Sequence, residues 1–202
     1  MSARSLHHPN TLAPWAEIVP RAAPVLVDDL LTRPEDGRQY EVVEGVLVRM
    51  AGSGELATTI AATIIVVLGA FVRSRALGRV TSSDGVYKFP GAETGLLPDV
   101  GFYGAALFPR ITDRDKPIPF APELAVEVAS HAQDEDDMAA KARHYLAGGT
   151  RLVWVVWPHA HTVDVWRKGH GRAPAARLGS AVMFDGEDVV PGFVHPVADI
   201  FA

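Results

Sequence analysis

Glu127 stands inside an apolar run, Leu124–Ala125–Val126–Glu127–Val128–Ala129. A carboxylate flanked by two valines is costly to bury unless something cationic compensates it. A second acid, Asp99, follows Pro98 at the head of another short apolar run, and Lys141 lies fourteen residues beyond Glu127. Two carboxylates on neighbouring strands of one sheet can converge on a divalent ion, because Mg²⁺ takes a few protein oxygens and completes its octahedron with water. A lysine arriving at such a cluster can orient a water or offset charge on a phosphoryl transition state. Plainer roles are also open. Asp134, Asp137, Lys141 and Tyr145 share one helical stripe, so Lys141 can simply pair with Asp137 at i, i+4. Asp99 can be a turn residue, and Glu127 can salt-bridge an arginine.

The elements that must position these groups are legible in outline. YEVVEGVLVRM, from Tyr40, reads as two β-branched strands turning at Glu44–Gly45. An apolar helix follows from about Glu55 to Leu77, ended by Gly78. RVTSSDGVYKF suggests a strand or hairpin, PDVGFY a short strand from Pro98, and residues 109–122 a Pro-rich loop. ELAVEVAS, Glu123 to Ser130, has the continuous apolarity of a central strand. A helix from about Asp134 to Ala147 stops at Gly148–Gly149. RLVWVVW and TVDVWRK then form a hairpin across Pro158–His161, and the tail carries one more strand and a turn at Pro191. This order predicts a mixed α/β domain with one sheet and helices packed on it. Residues 1–27, rich in proline and alanine, read as an arm preceding a domain over 28–202, with a short helix at Asp28 to Leu31 that stops before Pro34.

Composition narrows the function classes. The chain has 202 residues, 48% hydrophobic and 21% charged, which suits one globular domain and excludes a disordered one. Nineteen Lys and Arg against 24 Asp and Glu give a net charge of −5, so no strongly basic nucleic-acid binder is announced. The lack of cysteine excludes zinc fingers, thiol catalysis and disulfides, and fits a cytoplasmic location. Leu56 to Val72 is 17 residues without a charge, short for a membrane span and containing three threonines. It reads as a helix buried in a protein core.

The series YEVVEGVLVRM, LLPDVGFY, PELAVEVAS, KARHYLAGGTRLVWVVWP and VVPGF resembles, in order and over roughly Asp28 to Ile200, the Uma2 family of restriction-type endonucleases. That family belongs to the PD-(D/E)XK nuclease superfamily. The resemblance implies a restriction-endonuclease-like mixed β-sheet flanked by helices, and a Mg²⁺-dependent DNA endonuclease for which Mn²⁺ can substitute. It implies Asp99 and Glu127 as metal-binding carboxylates, the Val128 carbonyl as a third ligand, and Glu41 as an extra acid bordering the site. The superfamily lysine normally stands two residues after the glutamate, where this chain has Ala129; the resemblance implies that a lysine on the next helix takes over the role, a position held here by Lys141. Similar proteins carry a histidine at the start of the long helix, and none lies between Ala51 and Ala70 here. A homodimer is expected by analogy, since cutting both strands of a duplex favours two symmetric sites.

Other signals are weaker. Between Lys141 and Ser180 seven Lys and Arg face Asp164 alone, enough for a basic DNA-facing surface or for cations scattered over the molecule. His159 and His161 lack a third zinc ligand nearby and read as a turn. Gly52–Ser53–Gly54 lacks the lysine of a phosphate-binding loop and reads as a turn too. Trp154, Trp157 and Trp166 can stack bases but sit in apolar strands, which favours core or dimer contacts. Two rivals stand beside the nuclease: a nucleic-acid-binding module of the same fold with weakened chemistry, and a structural protein that uses its acidic run and Pro-rich arm to hold partners.

Overall fold

The computed structural model describes residues 17–19, 23–32, 38–131 and 133–202. In chain order the first strands are β1 (Glu17–Ile18), β2 (Tyr40–Val43) and β3 (Val46–Arg49), then helix α1 (Glu55–Ser74). Strands β4 (Gly78–Ser82), β5 (Tyr87–Lys88), β6 (Gly95–Leu96), β7 (Val100–Gly104) and β8 (Leu124–Val128) precede helix α2 (Glu135–Ala147). The chain ends with β9 (Leu152–Trp157), β10 (Thr162–Arg167), β11 (Ala176–Gly179), β12 (Met183–Asp185) and β13 (Val194–Pro196).

Where the sequence predicts one sheet, these strands form three. The principal one has six strands in the order β11-β10-β9-β8-β7-β4, mixed because β8 and β9 run parallel while its other neighbours are antiparallel. A five-stranded sheet, β1-β3-β2-β6-β5, lies beside it, and β12 pairs with β13. The reason is length. Two-residue strands such as β1 and β6 carry no periodic signal and exist only through their partners, Ile18 opposite Val48, and Gly95 opposite both Val42 and Lys88. For the same reason β4 and β5 enter different sheets instead of pairing as a hairpin, the tail holds two strands rather than one, and β11 adds an edge that the sequence does not announce. The first described residues of the arm are β1 itself, and the short helix is a 3₁₀ turn over Val27–Leu31, with Pro34 outside the described residues.

The principal sheet is covered on both faces, as a parallel pair at its centre requires. One face packs Val100, Phe102, Leu124, Val126 and Trp154 against Ile60, Ile64 and Leu68 of α1 and against the C-terminal Phe184 and Phe193. The other packs Ala125, Val153, Val155 and Trp166 against Met138, Ala142 and Tyr145 of α2. Trp154 and Trp166 are therefore core residues, and Trp157 donates its indole N–H to buried Asp164. His159 lies in the turn after β9, and His161 stacks on Phe201 in a left-handed conformation.

α1 stops at Ser74, three residues before the expected end. Ala76 takes φ 54° and the Leu77 N–H returns to the Val72 carbonyl, which closes the helix without a glycine. Gly78 serves β-pairing instead: a Cβ there would stand 2.1 Å from the Tyr103 carbonyl oxygen. Among the described residues α1 is long and apolar enough to cross a membrane by length and composition, but its Ala57, Ile60, Ile64, Leu68 and Val72 are buried on the sheet. α2 begins where Asp134 and Asp137 exchange capping hydrogen bonds with each other's backbone N–H groups.

Candidate active site

β8 alternates strictly. Leu124, Val126 and Val128 point to α1, so Glu127, lying between Ala125 and Ala129 in the period-two pattern, points to α2. In β7 the side chains of Val100 and Phe102 also face α1, which turns the preceding Asp99 to the α2 face. The antiparallel register sets Val100 opposite Val126, and its continuation sets Asp99 opposite Glu127. At that point the Val128 N–H donates to Asp99 Oδ2 at 2.7 Å, so the aspartate takes up a backbone donor at the end of β7. Asp99 is thus more than a turn residue.

α2 delivers the complement. Lys141 and Tyr145 are four residues apart and share one face. Lys141 Nζ lies 2.9 Å from Glu127 Oε2 and 3.4 Å from Glu41 Oε1, while the Tyr145 hydroxyl donates to Glu127 Oε1 at 2.6 Å. Lys141 pairs with these two acids and not with Asp137, and Glu127 meets a lysine rather than an arginine. Glu41 comes from β2 of the smaller sheet, and its Oε1 also accepts the Leu97 N–H at 2.9 Å. The two sheets meet at this lysine. Asp99, Glu127, Glu41 and Lys141 line one small cavity of about 40 Å³, with Val128, Ser130 and Gln133 around them, a volume suited to an ion and a few waters. It opens beside a groove of about 490 Å³ between residues 50–53, the first half of α1 and Ser82–Ser83; Asp99 lines both.

Three carboxylates face one ammonium here, and Glu41 and Glu127 are each only 4% exposed. Burial pushes Glu127 up to about 8, with Asp99 and Glu41 adding to the rise and Lys141 opposing it. Burial likewise raises Asp99, against the pull of Lys141. For Lys141 burial alone favours the neutral amine, but Glu127, Glu41 and Asp99 outweigh it and hold the ammonium charged well above its usual range. Burial and the neighbouring Glu127 keep the Tyr145 phenol protonated. The cavity is therefore short of positive charge. No group of three or more His, Cys, Asp and Glu among the described residues forms a ready-made metal cage. The donor set still fits Mg²⁺, which is commonly held by one or two carboxylates with waters.

Tyr145 is the site residue that sequence reasoning missed. The signal was available, since Tyr145 shares the helical stripe of Asp134, Asp137 and Lys141, but nothing in that stripe marks the tyrosine as a donor to Glu127. The basic stretch between Lys141 and Ser180 is no continuous open surface. Lys141 is inside the cavity, Arg151 pairs with Glu123 and Asp188, Arg167 with Glu187, and Arg177 with Asp164 and Glu135.

A six-stranded mixed sheet flanked by helices, with an acidic cavity at its strand ends, is a restriction-endonuclease-like arrangement. The chain belongs to the Uma2 family, described as "putative restriction endonuclease", whose pattern matches residues 27–198. Among solved structures it is similar to "a putative nuclease belonging to DUF820" from Anabaena variabilis, with 18% identity and a TM-score of 0.71 over 88% of this chain and 98% of that one. No curated protein matches.

Proposed function

We propose that this protein is a Mg²⁺-dependent DNA endonuclease acting in the cytoplasm, with Mn²⁺ as a working substitute and phosphodiester hydrolysis as its reaction. The observation that carries the reading is the lysine: Lys141 reaches back from α2 to the buried Glu127, opposite Asp99, which supports it as the substitute for the lysine absent at Ala129. Asp99 and Glu127 would hold the ion, with the Val128 carbonyl as a third ligand, because within a strand the carbonyl points the same way as the N–H that Asp99 accepts. When bound, the ion supplies a Lewis acid for a phosphoryl oxygen and a lowered pKa for a coordinated water. Lys141 holds Glu127 Oε2 in place and presents a cation to the charge that develops on phosphorus-bound oxygens. Glu41 anchors the lysine from the second sheet, and Tyr145 fixes the other oxygen of Glu127. The groove beside Asp99 offers the path for the strand being cut.

The test is incubation of the purified protein with supercoiled plasmid and with single-stranded DNA, in Mg²⁺, Mn²⁺ or EDTA, beside Asp99→Ala and Lys141→Ala. Metal-dependent cleavage that disappears in both variants is the expected result. Loss in Asp99→Ala alone rejects the role given to Lys141. Folded wild-type protein that binds DNA without cutting it supports the weakened binding module, the reading favoured by the absence of a histidine between Ala51 and Ala70.

A further inference from the structure

A helix lying on a sheet ordinarily turns a polar face to water. α1 does not. Beyond its buried side it exposes Leu56, Ala62, Val66 and Ala70, and Val66, at 66%, is the most exposed large hydrophobic residue among the described ones. Its threonines do not make the face polar. The Thr59 hydroxyl donates to the Glu55 and Leu56 carbonyls and that of Thr63 to the Thr59 carbonyl, so both polar atoms are satisfied within the helix. Gly69 is a further anomaly. Glycine in a helix interior costs about 1 kcal/mol relative to alanine, yet nothing among the described residues stands within 4 Å of where its Cβ would be. No close approach among the described residues accounts for it.

The outward residues form one seam: Glu55, Thr59, Ala62, Val66, Gly69 and Arg73, spaced 4, 3, 4, 3 and 4. The seam is self-complementary about its own centre. Placed antiparallel to itself across a two-fold axis, it sets Glu55 against the partner's Arg73, Thr59 against the partner's Gly69, and Ala62 against the partner's Val66. Each end carries opposite charges and the middle is apolar, with the glycine where a neighbouring helix would come closest. We propose that a second copy of this chain covers this face, in a homodimer built on antiparallel α1–α1 packing. Ala62 also lines the groove beside Asp99, so the two-fold would run alongside both grooves. The proposal is independent of the chemistry in the cavity.

Light scattering behind gel filtration, on the full chain, tests it. The expected mass is twice the 21.7 kDa of the chain, and Val66→Glu and Gly69→Leu are expected to give monomers. Gly69→Leu also separates dimerisation from folding, because the side chain enters open space and the helix gains propensity, so its circular dichroism and melting are retained while the dimer is lost. Glu55→Arg weakens the dimer, and Glu55→Arg with Arg73→Glu restores it. A wild-type monomer overturns the proposal, as does a dimer that survives both seam variants or a charge swap without rescue. So does wild-type protein that floats with phosphatidylcholine vesicles as a monomer, which would give the face to a membrane.

Discussion

Two donors on one helix face divide the Glu127 carboxylate, Lys141 on one oxygen and Tyr145 on the other, so its orientation is fixed from both sides. Tyr145→Phe keeps the ring that packs the α2 face and removes one donor to a buried carboxylate, an interaction of about 1–3 kcal/mol. Since that hydrogen bond lowers the Glu127 pKa, its loss moves the acid limb of the pH–rate profile to higher pH. An unchanged limb with reduced stability would leave Tyr145 a packing role only. Stability itself follows the same group. Glu127 is raised from 4.5 to about 8, so between those values the folded state keeps a proton that the unfolded chain has released, and stability of the metal-free protein falls as pH rises through the window. Lys141 acts outside it: its folded value is raised, so its contribution is present below the ordinary 10.5 and is lost only at higher pH. Urea unfolding of the wild type and Glu127→Gln at pH 5 and pH 8 reads the difference. The expected loss between the two pH values is larger in the wild type, and equal losses would remove Glu127 as its source.

At the level of elements, the cavity is positioned by a close approach that tolerates no added methyl. Gly101 follows Asp99 by two residues on the same face of β7, and a Cβ there would lie 2.4 Å from Tyr87 Oη and 2.7 Å from Thr81 Oγ1, two atoms that bond each other at 2.8 Å. Gly101→Ala therefore displaces a buried tyrosine or shifts β7, and should cost about 1–3 kcal/mol in chemical denaturation while lowering cleavage through Asp99. Full stability in this variant would show that Tyr87 yields freely. How much of this was readable beforehand depends on whether an element carries its own signal. β8 announces itself by continuous apolarity, and α2 by Asp134 at its start and Gly148–Gly149 at its end. In α2, Gly148 remains right-handed and Gly149 takes the positive φ, 112°. Pairings set by distant residues leave no local trace. Nothing in Gly95–Leu96 foretells β6, and nothing near Glu41 says that β2 will bring it to Lys141; only the resemblance placed it at the site. Glu127 was legible because a charge in an apolar strand demands an explanation, whereas Asp99 and Lys141 were candidates by spacing that kept plainer roles open.

For the endonuclease proposed above, the charge of the whole molecule constrains how DNA would reach this cavity. The net charge is −5, and three arginines that make the 141–180 stretch look basic are held by acids of the same chain. Counterion release needs cations that are open to phosphates, and in this stretch the ion pairs leave only Arg143, Lys168 and Arg172 for it. The cavity adds repulsion once Glu127 has released its proton, above about pH 8, since Asp99, Glu127 and Glu41 then outnumber Lys141. A divalent ion held there reverses that local field. DNA affinity, measured by fluorescence anisotropy with a labelled duplex, is therefore expected to be weak in EDTA and to rise when Ca²⁺ is added to occupy the site without supporting rapid cleavage. Asp99→Asn removes one repelling charge and one proposed ligand together, so it should bind DNA better than the wild type in EDTA and gain less from Ca²⁺. If the wild type instead binds tightly in EDTA, with a steep loss on adding salt, a basic surface other than the paired arginines carries the contact, and the ion's part is confined to the chemical step.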